Sequence, residues 1–238
     1  MDSSFPRKLT VLDLCTGTGC IPLLFTHELY KHLGQEVELN CTGIDLSQKA
    51  TRLARRNQQR QLSAVKETSP IGRTLSSMHF IEADVLSVER LGSDSRVPSV
   101  TDALRTLHTG DKGLQYGILI SNPPYISPLE FDNTTSRSVR NFEPKLALVP
   151  PSDAALSGID QGDVFYPRLL AIAEEVGAKL VLLEVADLTQ ARRVATMAYE
   201  RRVWDGIEIW RDDPDEDLAT GDLFSVGGDL MSDGYAEL

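Results

Sequence analysis

The sequence predicts a single α/β domain with a doubly wound, mostly parallel sheet, and three observations support this. Short apolar runs alternate with longer helical patterns between residues 9 and 210. The first apolar run breaks into a turn with two glycines and then a helix, which is typical of sheets that bind nucleotides. The 238 residues, 41% of them hydrophobic, suffice for one domain with a substantial core.

The alternating pattern assigns each strand and helix in order. Strands are expected at residues 9–14, 38–44, 78–81, 117–121, 179–185 and 206–210. Helices are expected at residues 20–33, 47–61, 100–107, 161–176 and 188–202. The connections 63–77 and 87–115 are long and rich in Ser, Gly and Thr, so we expect mobile insertions there. A seventh strand has only residues 223–226 as its candidate.

The turn after the first strand reads Asp13-Leu14-Cys15-Thr16-Gly17-Thr18-Gly19. Its glycines let the backbone approach a ligand closely, and the helix that follows offers free N–H groups. A dinucleotide fingerprint needs a third glycine three residues after the second, where Pro22 stands, so the dehydrogenase interpretation fails. The remaining pattern is similar to the turn of S-adenosylmethionine-dependent methyltransferases. The expected cofactor-binding residues of this turn are Asp13, Cys15, Thr16, Gly17, Thr18 and Gly19.

Carboxylates also follow the second and third predicted strands. Ligands of an open parallel sheet lie across the carboxyl ends of its strands. We therefore expect Asp45, with Leu46 beside it, to accept hydrogen bonds from both ribose hydroxyls of a nucleoside. The alternative is that Asp45 caps the helix that starts near Ser47. Asp84 is expected to bind an adenine amino group and Val85 to pack on the ring, unless Asp84 is only a solvated turn carboxylate.

The fourth predicted strand ends abruptly at Ser121-Asn122-Pro123-Pro124-Tyr125. Two consecutive prolines have no backbone N–H and push Asn122 away from helical conformation, so sheet pairing cannot continue. The Asn122 amide, the Pro123 carbonyl and the Tyr125 ring can together grip a small planar group that carries an NH₂. The alternative is a simple loop at the end of a strand. Asn122 is also expected to lie near the cofactor.

Four segments of the sequence resemble the release-factor glutamine N5-methyltransferases of the bacterial and mitochondrial branch. They are residues 12–21, 43–57 and 118–126, and the segment Val139-Arg140-Asn141-Phe142-Glu143-Pro144 with Ala147-Leu148. Asn-Pro-Pro-Tyr also occurs in other amino methyltransferases, whereas the Arg-x-Phe-Glu-Pro segment resembles this branch in particular. The resemblance covers about residues 9–210, which corresponds to the catalytic domain only. Two departures are that Cys15 replaces the family's usual first glycine and that its amino-terminal helical domain is absent.

The resemblance implies the seven-stranded, class I S-adenosylmethionine-dependent methyltransferase fold over residues 1–211. It implies methyl transfer to the side-chain amide nitrogen of a glutamine, in the Gly-Gly-Gln loop of a peptide chain release factor. The implied catalytic residues are Asn122, Pro123 and Tyr125, and the implied substrate-binding residues are Asn122, Pro123, Pro124, Tyr125 and Glu143. One alternative is an adenine-N6 or other amino-group methyltransferase. Another is a non-catalytic protein that only binds the cofactor.

Charge is distributed unevenly along the chain. Of the 35 acidic and 24 basic residues, residues 205–238 hold eleven acids and one base, so the net charge of −11 comes almost entirely from that segment. We expect residues 212–238 to be a disordered acidic tail or an atypical final strand. The rest of the chain lacks the overall basic charge of a nucleic-acid-binding protein, so we expect no direct nucleic-acid partner. The basic clusters at residues 49–60 and 192–202 are interpreted as solvated helix faces.

Other sequence features bear on the environment of the protein. Three unevenly spaced cysteines favour reduced thiols in a reducing compartment, and the four histidines have no metal-ligand spacing. No apolar run approaches the ~20 residues of a membrane span. The first eight residues are too short and polar for a signal peptide, and no transit peptide is visible. We expect a monomer without a metal, in the mitochondrial matrix or the cytoplasm.

Overall fold

The computed structural model describes residues 7–33, 37–87, 97–107, 114–151 and 159–210. The chain divides into two compact units, Met1–Glu184 and Val185–Leu238. The first unit contains the strands β1 (Lys8–Leu14), β2 (Glu38–Asp45), β3 (His79–Glu82), β4 (Ile118–Ser121) and β5 (Leu180–Leu183). Its helices are α1 (Cys20–Leu33), α2 (Gln48–Ala64), α3 (Pro70–Ser77), α4 (Val100–Leu107), α5 (Pro128–Asn133), α6 (Arg137–Phe142) and α7 (Tyr166–Glu175). The described part of the second unit contains α8 (Leu188–Arg201).

The five strands form one sheet in the order β3-β2-β1-β4-β5, and every neighbouring pair is parallel. The chain moves outward from β1 through β2 to β3, then crosses back to β4 on the other side of β1. This confirms the predicted doubly wound parallel class. The strand order reverses between β1 and β4, and ligands of such sheets bind in the crevice outside the strand ends at that point.

The central strands β1, β2 and β4 are apolar and mostly buried on both faces, as expected for strands covered by helices, whereas Leu180 and Leu182 of the edge strand β5 are exposed. On one face Leu9 and Val11 join a core cluster with Leu39, Leu75 and Phe80. Side chains alternate along a strand, so the equally buried Leu12 and Leu14 point to the opposite face. This double burial fixes the register, and therefore fixes which residues stand at the carboxyl edge.

The structure corrects the predicted elements in three places. Residues 63–77 are not simply a mobile insertion, because α3 forms there with Ser69 as its N-cap and Pro70 in its first turn. Residues 206–210 are described and form no strand, so the sixth predicted strand is wrong. The predicted helix at 161–176 begins as a 3₁₀ turn, Gln161–Asp163, before α7.

Several predictions lie wholly or partly outside the described residues. These are the candidate seventh strand at 223–226, the acidic tail at 212–238, and residues 88–96 and 108–113 of the expected insertion at 87–115. Five of the seven predicted strands are therefore present in the described ranges. The division of the chain at residue 211 stays a prediction. No helix within the described ranges combines the length and the apolar character that a bilayer crossing requires.

Candidate active site

The candidate site begins at the reversal point of the sheet, where β1 and β4 end side by side. Leu14 and Ser121 are the last paired residues of these strands. The buried Ser121 hydroxyl also donates a hydrogen bond to the Leu14 carbonyl at 2.8 Å. Cys15 and Asn122 are the next residues on each chain segment, so the predicted cofactor turn and the predicted substrate-gripping turn start next to each other.

The turn after β1 has the backbone conformation that its glycines suggested. Gly17 and Gly19 have φ values of 55° and 75°, which are favourable for glycine. The Thr16 N–H donates to the Ile44 carbonyl at 2.9 Å, and the Gly19 N–H donates to the Thr16 carbonyl at 2.9 Å. These bonds fold the turn back over the end of β2 and lead it into α1.

Gly19 is required for a second reason, which is packing. A Cβ atom at Gly19 would lie 2.7 Å from Cζ of the buried Phe80, too close for any side chain. The amide of Asn57, on α2, donates to the Thr18 carbonyl at 3.0 Å and holds the outer side of the turn. Pro22, at the place of the missing third glycine, is buried in the first turn of α1, where proline is tolerated.

Asp45 fastens the end of β2 to the turn after β1. Its Oδ2 accepts the Gly17 N–H at 2.8 Å and its Oδ1 accepts the Ser47 N–H at 2.8 Å. The alternative role as helix cap is wrong, because the Ser47 side chain caps α2 by accepting from Ala50 N. A carboxylate has about four acceptor positions, so two remain for a ligand. Leu46, which follows it, is an exposed apolar residue.

Asp13 is a fully buried carboxyl group at the end of β1. The Thr16 hydroxyl donates to its Oδ2 at 2.5 Å, while its Oδ1 has no hydrogen-bond partner among the described residues. Burial raises the pKa of Asp13 to about 7; the Thr16 hydrogen bond lowers this pKa, and the Asp45 carboxylate raises it further. Asp13 Oδ1 is therefore a buried acceptor to which no described residue donates a hydrogen bond.

Cys15 is the residue in the turn that departs from the family pattern. Its φ is 60°, a left-handed conformation that is unfavourable for a residue with a Cβ atom. Burial and the carboxylates of Asp45 and Asp13 raise the pKa of its thiol, so the thiol stays protonated. Cys15 is half-buried at the reversal point and places a neutral side chain at the edge of the candidate cofactor site.

Asp84 and Val85 follow β3, as predicted. Asp84 is half-buried, and its Oδ1 accepts the Leu86 N–H at 2.9 Å, which closes a local turn. Its backbone N–H donates to the Pro98 carbonyl at 2.9 Å. Val85 is buried. One oxygen of Asp84 thus accepts a hydrogen bond from its own loop, and no residue in the described ranges bonds to the other, which can accept from a ligand.

Asn122-Pro123-Pro124-Tyr125 leaves the sheet as a rigid turn. Both prolines are buried and Tyr125 is half-buried, whereas the Asn122 side chain is exposed. Within the described ranges, no residue hydrogen-bonds to the Asn122 amide. A side-chain amide that is exposed, unbonded and mounted on buried prolines is positioned to bind a ligand.

The segment that follows this turn contains two short helices, and Glu143 lies at the end of the second. Ser127 and Glu130 form a capping box at the start of α5. The Arg140 guanidinium donates to the Asp132 carbonyl at 2.9 Å, which joins α6 to α5. The Ile126 N–H donates to the Leu148 carbonyl at 2.9 Å, so the far end of the segment returns to the Asn-Pro-Pro-Tyr turn. Glu143 is exposed, and its backbone N–H donates to the Val139 carbonyl at 2.9 Å.

Comparison with known proteins tests the resemblance stated above. A probable mitochondrial N(5)-glutamine methyltransferase of MRF1 from Schizosaccharomyces pombe is 34% identical over 200 residues. That alignment covers 80% of this chain and 52% of the yeast protein. The chain is related to the release-factor glutamine methyltransferases. A release factor glutamine methyltransferase from Chlorobaculum tepidum is also 34% identical, over 60% of this chain and 36% of the bacterial protein.

The chain thus spans about half the length, or less, of these curated relatives. No protein-family model matches the sequence. Among solved structures, a putative class I S-adenosylmethionine-dependent methyltransferase from Listeria monocytogenes aligns over 86% of this chain and 47% of its own. It has a TM-score of 0.44 and is 13% identical in sequence.

Sequence analysis did not identify some of the residues that shape the site. Asn57, Ser121 and Phe80 hold the two turns and the start of α1 in place. Ser121 was visible only as the last residue of a strand, and Asn57 only as one polar residue of a polar helix. Phe80 could have been inferred only indirectly, from Gly19 and Gly43. A Cβ atom at either glycine would collide with the Phe80 ring.

Proposed function

We propose that this chain transfers a methyl group from S-adenosylmethionine to the side-chain amide nitrogen of a glutamine, in the Gly-Gly-Gln loop of a peptide chain release factor. The observation that carries this proposal is the exposed amide of Asn122, which lies beside the turn after β1 and to which no described residue hydrogen-bonds. The names of the yeast and bacterial relatives support it. We assign the activity to a monomer in the mitochondrial matrix or the cytoplasm.

The residues at the carboxyl edge fit this cofactor. Asp45 retains acceptor capacity on each oxygen for the two ribose hydroxyls after it binds Gly17 and Ser47. Among the described residues, none hydrogen-bonds to the buried Asp13 Oδ1, and only one oxygen of Asp84 accepts a hydrogen bond, from the Leu86 N–H. Val85 supplies an apolar surface for a ring. When bound, the cofactor supplies an electrophilic methyl group.

The residues of the site must make the glutamine amide nitrogen nucleophilic enough to accept the methyl group. An amide nitrogen is a poor nucleophile because its lone pair is delocalised into the carbonyl. Hydrogen bonds from its two N–H groups to the Asn122 side-chain oxygen and the Pro123 carbonyl would localise that lone pair. Because both acceptors are on a rigid turn, they favour the developing charge without rearranging during the reaction.

The remaining contributions are orientation and exclusion of water. The Tyr125 ring would pack against the amide plane, and the buried Pro123 and Pro124 would keep the turn fixed. Holding the nitrogen within about 3–3.5 Å of the methyl carbon would supply much of the rate. Glu143, on the exposed segment that returns to this turn, is assigned to the surrounding substrate surface.

The deciding experiment uses labelled S-adenosylmethionine and a release factor with a Gly-Gly-Gln loop, followed by mass mapping of the methyl group. We expect the label on the loop glutamine and none on a variant factor whose loop reads Gly-Gly-Ala. Label on adenine in a nucleic acid instead would establish the amino methyltransferase alternative. Cofactor binding without transfer to any of these substrates would establish the non-catalytic alternative.

A further inference from the structure

Helix α2 carries a strong positive charge on its surface. Its 17 residues contain no acid and five cations, and all five are exposed: Lys49, Arg52, Arg55, Arg56 and Arg60. The helix is held to the first unit by its buried residues Thr51 and Ala54. Such a concentration of one sign is unusual in a chain whose net charge is −11.

Four of these cations form one row. At 100° per residue, Lys49, Arg52, Arg56 and Arg60 fall within an arc of about 80°, opposite the buried Thr51 and Ala54. The row is about 16 Å long at 1.5 Å per residue. We call these four residues the basic stripe. Arg55 is not part of it, because its guanidinium donates to the carbonyl of Phe80 in the edge strand β3.

No acidic side chain in the described ranges neutralises the basic stripe. The hydrogen bond of the Arg52 guanidinium goes to the neutral Gln48. Some exposed cations elsewhere are paired with acids, namely Lys8 with Glu38, Lys31 with Glu28, and Arg105 with Asp102. The stripe therefore presents uncompensated positive charge to solvent, which favours an anionic partner.

We propose that the basic stripe binds RNA through its phosphates. Three of its four cations are arginines, whose planar fork of donors matches the oxygens of a phosphate. Neutral hydrogen-bonding side chains flank them, including the exposed Gln48 and Gln59, which suit sugar hydroxyls. The balance of 24 acids and 23 bases in residues 1–204 had argued against a nucleic-acid partner, but that count averages the stripe with the acidic residues elsewhere in this part of the chain.

An acidic protein is the alternative ligand for the basic stripe, and the residue composition of the exposed face of α2 disfavours it. Protein interfaces are built around apolar and aromatic residues that become fully buried. The basic stripe itself contains no apolar or aromatic residue, and of the two half-buried leucines of α2, Leu62 packs against the core cluster. Recognition here rests on charge and hydrogen bonds, as in backbone binding of nucleic acids.

The test measures binding of three labelled probes by fluorescence anisotropy: a 20-nucleotide single-stranded RNA, DNA of the same sequence, and a 20-residue polyglutamate. We expect RNA to bind, with a slope of about −3 for log K against log salt, since four phosphates each contribute about 0.7. The triple variant Arg52→Gln, Arg56→Gln, Arg60→Gln should lose about two units of that slope and bind about 10-fold more weakly at low salt.

The matched control is the triple variant Lys8→Gln, Lys31→Gln, Arg105→Gln, which removes the same charge from the paired cations. It should bind RNA like the parent protein. Glutamine is a good helix former, so circular dichroism should show both variants folded, with unchanged cofactor affinity by calorimetry. The proposal is overturned if the stripe variant binds RNA as tightly as the parent, or if both triple variants lose the same affinity. It is also overturned if the parent binds DNA or polyglutamate more tightly than RNA.

Discussion

Gly17 donates its backbone N–H to Asp45 Oδ2 at 2.8 Å, which joins the turn after β1 to the end of β2. The other carboxylate oxygen accepts the Ser47 N–H at 2.8 Å. Asp45 therefore shapes the turn as well as presenting acceptors to the crevice. A substitution at this residue changes both the conformation of the turn and the contacts with a ligand.

The first prediction is that Asp45→Ala weakens binding of S-adenosylmethionine by about 1.5–3 kcal/mol, as expected for a lost hydrogen-bonding carboxylate. Titration calorimetry measures the change directly. Ser47→Ala is the control, because it removes the cap of α2 at a cost of about 1 kcal/mol in stability and leaves the carboxylate in place. An Asp45→Ala protein with parental affinity would show that this carboxylate is structural only.

The second prediction concerns Cys15, whose φ of 60° is unfavourable for a residue with a side chain. Cys15→Gly should raise the free energy of unfolding by about 1 kcal/mol and keep or tighten cofactor binding. Cys15→Ala keeps the Cβ atom and should give no such gain. Thermal melts of the two variants compare them. A glycine variant that is less stable, or that binds the cofactor much more weakly, would mean that the thiol itself is needed.

The third prediction is a dependence of stability on pH that originates at Asp13. Its pKa is about 7 in the folded protein, mainly through burial, and about 3.9 when unfolded. Between these values the folded state binds more protons than the unfolded state, so the free energy of unfolding falls as pH rises from about 4 to about 7. Above pH 7 this contribution is constant.

Asp13→Asn removes that titration while keeping a side chain of similar shape. The stability of the variant relative to the parent should therefore increase from pH 5 to about pH 7 and then level off, as measured by denaturant unfolding of the cofactor-free proteins. Taking the difference between the two profiles cancels the other titrating groups. Parallel profiles would show that Asp13 is ionised in the folded protein throughout this range.

The sequence predicts the position of the site better than its internal bonds. Asp45 and Asn122 were identified because polar residues directly after apolar strands must lie at the carboxyl edge of a parallel sheet. The bond between Gly17 and Asp45 spans 28 residues of sequence, and no local pattern indicates it. The same limit applies to the Ser121 hydroxyl, whose acceptor is 107 residues away.

Local sequence signals for secondary structure also misled the prediction in two ways, since one helix was missed and one strand was wrongly predicted. Ser69 and Pro70 are a strong start signal for a helix, yet the Ser and Thr content around them suggested a loop, and α3 was missed. Residues 206–210 alternate apolar and polar residues but form no strand, because strand formation depends on a pairing partner more than on the segment itself.

The last prediction concerns Asn122, which is exposed at the end of β4 on two buried prolines. Asn122→Ala removes the acceptor that orients the glutamine amide, so turnover should fall by about 10²–10³-fold, as for loss of one preorganised dipole. Asn122→Asp keeps an acceptor oxygen and should retain more activity than alanine. Cofactor affinity should fall far less than turnover, so it is measured separately from the rate.

The control is Asn133→Ala, which removes an exposed asparagine at the end of α5 in the same part of the chain. It should turn over at the parental rate, because its side chain lies outside the gripping turn. If Asn122→Ala methylates glutamine as fast as the parent with saturating cofactor, acceptance by Asn122 is not what activates the amide nitrogen. The Asn-Pro-Pro-Tyr turn would then act only by ending β4, and the lone pair would have to be oriented by other groups at the reversal point.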